Sequence, residues 1–164
     1  MPEIIPLGWF HTAVGIAAIL SGVMALWKYR EITLDSRSGL FYVIATLITA
    51  ATALGIYQHG GFGVAHVLAV LTLAALAVGT LAATTNVFGR LSRYLQGLSY
   101  SATLLFHCIP AVTDGLMRLP VGDPVVSSLE DPLLRGSYLG LLIAFLIGTV
   151  LQQRWIYRQR SAAV

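Results

Sequence analysis

The chain has 164 residues, of which 57% are hydrophobic and only 10% charged, whereas a soluble domain is roughly half apolar and a quarter charged. That composition excludes water as the main solvent, and the length allows a single domain in which five membrane-crossing segments of about 20 residues use nearly the whole chain. The formal charge of +3 does not indicate nucleic acid, because the basic residues form short clusters between apolar runs rather than a continuous surface.

The first apolar segment runs from about residue 7 to 27 and ends at Lys28, Tyr29 and Arg30. Met1-Pro2-Glu3 lacks the basic start of a signal peptide and the apolar run is too long for one, so the segment is expected to stay. Within it His11, Gly15, Ala18 and Gly22 share one stripe at helical spacing, which lets another backbone approach closely and turns His11 inward. The second segment, about 38–57, carries Thr46, Thr49 and Thr52 among alanines and ends at Gln58-His59-Gly60-Gly61, where glycines favour a turn. The third covers roughly 62–85, the fourth 94–117 and the fifth 134–151, with a proline-bearing loop from Arg118 to Leu133 between the last two. Cys108, the only cysteine, falls inside an apolar segment, so no intrachain disulfide is possible. Pro110 removes an amide beside His107 and is expected to kink the fourth helix.

This reads as an all-α integral membrane bundle of five transmembrane helices. Lys28, Arg30, Arg37, Arg90, Arg93, Arg154, Arg158 and Arg160 fall on one side of it, and Arg118 and Arg135 on the other. Cytoplasmic loops hold the lysine and arginine excess, so the N-terminus is expected outside and the C-terminus in the cytoplasm. Trp9, Trp27, Tyr57, Tyr94 and Trp155 near the segment ends fit interfacial aromatics. The partner implied is the lipid bilayer of a bacterial inner membrane, together with any other membrane subunit that docks on the small-residue faces.

Ionisable side chains in hydrocarbon are costly and mark sites facing the bundle interior. Here these are His11, His66, His107 and Asp114. In the fourth segment Gln96, Tyr100, Thr103, His107 and Asp114 superpose on one helix face. At about 1.5 Å per residue, His11, His66 and Asp114 lie ~4 to 6 Å beneath the outer boundary and His107 ~15 Å beneath it. His59 stands above them in the outer turn.

Imidazole and carboxylate are first-row metal ligands, so His11, His66, His107 and Asp114 form a candidate zinc or copper site near the periplasmic face. A zinc-bound water beside Asp114 as general base would make the protein a membrane hydrolase. A b-type haem held between His11 and His66 is a second reading, and would make it a redox protein. A third is a proton-linked transporter or quinone-binding protein in which Asp114, His107, Tyr100 and Gln96 relay protons. A metal-free accessory subunit is a fourth.

The histidine-bearing first helix (His11, Gly15, Gly22), the segment Arg37-Ser38-Gly39-Leu40-Phe41-Tyr42 and His66 opening the third helix resemble a family of small bacterial membrane proteins called domain of unknown function 2306. The resemblance covers the first three helices and implies no established reaction. Members often carry a His-Arg pair where this chain has Ser36-Arg37. More remotely the layout is similar to small membrane proteins that assist assembly of haem-copper oxidases, which implies copper or haem handling at the outer face.

Overall fold

The computed structural model describes residues 6–57 and 61–161. Among them the regular structure is helical: α1 (Pro6–Tyr29), α2 (Arg37–Ala53), α3 (Val64–Thr84), a single 3₁₀ turn (Gly89–Leu91), α4 (Ser92–Arg118) and α5 (Pro132–Ser161). Helices α1, α3 and α5 are long and apolar enough to cross a membrane, and α2 is apolar but has 17 residues. At 27 residues α4 is amply long, and its polar stripe is what separates it from the others. His59 and the glycine turn expected around it fall outside the described residues, except for Gly61.

Helices α1 to α4 form a ring in which each packs against the next and α4 closes back on α1, while α5 packs on α4 from outside. Small residues set the approach. On α1, Ala18, Ser21, Gly22 and Ala25 are buried, and a Cβ on Gly22 would stand 2.8 Å from the Tyr42 ring. On α3, His66, Ala69, Thr72, Leu76, Gly79 and Ala82 form the buried face, where a Cβ on Gly79 would meet the Tyr100 ring at 2.7 Å. The two tyrosines, both fully buried, therefore occupy space that glycines vacate. Without a hydrophobic drive between helices in lipid, such close packing and interhelical hydrogen bonds supply much of the association.

The connection from α1 to α2 is fixed locally. Ser36 caps α2 by accepting from the Gly39 amide at 3.0 Å. A Cβ on Gly39 would fall 2.1 Å from the Thr33 carbonyl oxygen, so no larger residue fits without moving the backbone. This connection meets the start of α4 and the end of α5: Gln96 donates to the Ile32 carbonyl at 3.1 Å, Gln152 to the Arg30 carbonyl at 3.2 Å, and Arg160 to the Arg90 carbonyl. The eight basic residues of the sequence-derived cluster are thereby drawn to one end of the bundle.

Two boundaries differ from the expectation. Helix α2 stops at Ala53 rather than near residue 57. Helix α5 does not end near residue 151 but continues to Ser161. Its last turns are held by contacts hydropathy does not register: Ile156 is fully buried, Gln153 donates to the Tyr94 carbonyl at 3.2 Å, and Arg160 lies over the Tyr94 ring. The helix also runs on through Pro110 in α4.

Candidate functional site

The middle of the polar face of α4, from Tyr100 to His107, lies against α2 and α3 and finds partners there. The Nε2 atom of His107 hydrogen-bonds with the Thr46 hydroxyl at 3.1 Å. One turn before Thr46 on α2, the Tyr42 hydroxyl is 2.7 Å from that of Thr103 and donates to the Tyr100 carbonyl at 3.3 Å. The Tyr100 hydroxyl pairs with Thr80 on α3 at 3.1 Å. His107 with Thr46, and Tyr42 with Thr103, thus form two side-chain hydrogen bonds between α2 and α4, one turn apart inside the bundle, and all four residues are buried.

Helix α2 is the spine of these contacts. Tyr42, Thr46, Thr49 and Thr52 recur every three or four residues and so share one face. That face serves α1 as well: His11 Nδ1 lies 3.1 Å from both the Thr49 carbonyl and the Thr52 hydroxyl. His11 and His107 therefore both bond to the α2 threonine face, His11 at Thr49 and Thr52 and His107 at Thr46. The α2 threonines were legible in the sequence as a close-packing face, but they also supply the partners of two histidines. Tyr42 stood in the sequence only as part of the resemblance, without a role; burial of a phenol at the threonine spacing is the signal that could have marked it.

The other two expected ligands stand apart. His66 is 4% exposed and stacks with Tyr57 and Phe62 at centroid distances of 4.7 and 5.1 Å. Its Nδ1 accepts from the Gly63 amide at 3.1 Å, so in the neutral ring Nε2 carries the proton. That atom is buried and has no hydrogen-bond partner among the described residues; it offers a donor, not the lone pair that a metal or haem iron requires. Asp114 was expected on the inward face with His107, but its side chain is 63% exposed and pairs with Arg118 one turn on, at 3.1 Å. Seven residues are nearly two full turns and leave Asp114 only about 20° from His107 around the helix, so its exposure follows from its place in the last turn of α4 beside Arg118. Among the described residues no group of three His, Cys, Asp or Glu side chains comes together as a metal site. His11, His66, His107 and Asp114 therefore do not converge in this arrangement: two share the α2 face, one is enclosed by aromatic rings, and one is at the surface.

At the opposite end of α4, Arg93 grips Glu31 through two bonds of 2.6 and 3.2 Å and lies over the Trp155 ring. Glu31 holds the Arg93 guanidinium above its already high ordinary value. This pair, which the sequence did not single out, closes the basic end of the polar column. No family model matches the chain, and neither a curated protein nor a solved structure matches it.

Proposed function

We propose that the chain is a multi-pass protein of a bacterial inner membrane and that it carries protons through the column between α2 and α4. The observation that carries this reading is the set of buried contacts His107–Thr46 and Tyr42–Thr103, one turn apart, with His11 on the same α2 face. Hydroxyl and imidazole groups can each donate and accept, so in this reading a proton taken up at His11 steps by side-chain rotation and exchange past these pairs toward the Tyr100 and Thr80 hydroxyls, one proton leaving there as another enters. In this reading all five helices cross the bilayer, α4 being shielded from lipid by α3 and α5, with the N-terminus outside. The basic excess at one end supports that orientation.

A second reading follows from His66. Its Nε2–H, without a partner among the described residues and flanked by two aromatic rings, suits a quinone carbonyl, which would give the protein a redox partner at a place apart from the α2–α4 column.

Proteoliposomes holding an internal pH dye and an imposed potassium diffusion potential test the first reading. Wild-type protein is expected to acidify or alkalinise the lumen with the sign of the potential, and Tyr42→Phe or His107→Leu to abolish it. Equal flux through wild type and Tyr42→Phe would overturn the proton path. A Soret band or stoichiometric metal that His11→Ala removes would replace it with the haem or metal reading. A reporter fused near Asp123 is expected to give an external signal; a cytoplasmic one would reverse the orientation.

A further inference from the structure

On the side of the bundle away from the polar column, α1, α4 and α5 leave a cleft of about 370 Å³ between them, within the roughly 300–1,000 Å³ of small-molecule sites. The space exists because α5 presents Ala144 and Gly148 where it passes Leu104 and Cys108. A Cβ added to Gly148 would meet nothing within 4 Å. The walls are largely hydrocarbon, and from Leu141 to Trp155 the α5 side of the cleft rises about 21 Å, the reach of a long acyl chain. A helix, at about 10–12 Å across, is too wide for a cleft of this volume and length, whereas one hydrocarbon chain is not.

The ends of the cleft differ. Its mouth at the basic end carries Arg30 and Trp155. Arg30 is exposed, and no carboxylate pairs with it among the described residues. It also ends α1 with φ at +63°, a conformation that glycine takes freely and other L-residues take at a cost. Gln152 ties down its carbonyl at 3.2 Å. An arginine thus stands where local backbone preference asks for glycine, with its cation open at the mouth of an apolar slot.

We propose that the cleft binds one acyl chain of an anionic phospholipid whose phosphate rests on the Arg30 guanidinium. Arginine recognises phosphate through paired N–H donors, and the exposed Lys28 and Arg154 on the same two helix ends add to the positive field there. A zwitterionic headgroup brings its own cation to that field and gains less. The site is separate from the proton column, so its failure leaves that reading standing.

The test uses the full chain purified in detergent and titrated with palmitoyl-oleoyl phosphatidylglycerol or palmitoyl-oleoyl phosphatidylcholine, with retained lipid counted by native mass spectrometry. Phosphatidylglycerol is expected to bind about five-fold more tightly, the value of one arginine near the surface. Arg30→Gly, which suits the backbone at that position, is expected to erase the preference, and Arg158→Gln to leave it. Gly148→Phe is expected to fill the slot and remove the tightly held lipid of either kind. Equal affinity for the two lipids, a preference that survives Arg30→Gly, binding unchanged in Gly148→Phe, or an isoprenoid quinone that displaces the lipid would each overturn the proposal.

Discussion

Replacing Thr46 by valine keeps the shape of the side chain and removes only the hydroxyl that bonds His107. In the mutant, Tyr42 retains Thr103 at 2.7 Å, but His107 Nε2 loses the one partner it has among the described residues. Interhelical hydrogen bonds in membranes average ~0.6 kcal/mol and reach ~1.7, while a stranded buried polar group costs about 1–3 kcal/mol. Thr46→Val is therefore expected to destabilise by about 1–2 kcal/mol. His107→Leu takes the imidazole away instead, so the double mutant should cost less than the two singles added. Unfolding in mixed SDS micelles, followed by tryptophan fluorescence, gives the coupling energy, expected at about 0.6–1.7 kcal/mol. A coupling within about 0.3 kcal/mol of zero would refute the claim that this bond holds α2 to α4.

The glycines behind the tyrosines give a second test: Gly22→Ala and Gly79→Ala each force a methyl against a buried ring and should cost about 1–3 kcal/mol, while Gly136→Ala and Gly140→Ala, where a Cβ meets nothing within 4 Å, should not destabilise. The two ion pairs should separate sharply in the same unfolding assay. Arg93→Ala strands a carboxylate that is 9% exposed and is expected to cost about 1–3 kcal/mol, below the full buried-pair value because Arg93 itself is 39% exposed. Asp114→Asn, on an exposed pair one turn apart, should change stability by less than about 0.5 kcal/mol. Because the folded state raises Arg93, its contribution is complete below the unfolded arginine value and is lost only as pH rises through the folded one, so the Arg93→Ala effect from this group should stay constant from pH 5 to 9.

The amino-acid sequence by itself determined the helical class, the apolar segments, the clustering of basic residues and the polar face of α4. Each of these depends on periodicity and hydropathy along one chain, and local spacing is enough to read them. It also marked His11, Gly15 and Gly22 as one inward stripe, because small and polar residues at three- and four-residue steps leave few other readings. What it could not determine was which face meets which. The α4 stripe and the α2 threonines are both visible in the sequence, but only the ring of four helices makes Thr46 the partner of His107 and Thr49 and Thr52 the partners of His11. The surroundings of Asp114 and His66 depend on packing in the same way: a place in the last turn of α4 beside Arg118 leaves the first exposed, and the Gly63 amide and two flanking rings decide which nitrogen of the second accepts. Equal depth brings ligands to one level, whereas coordination also needs them on converging faces, and convergence is a property of helix packing. The lateral cleft is the clearest case: Ala144, Gly148 and Arg30 are unremarkable one by one, and only the way α5 leans on α4 and α1 leaves a space among them.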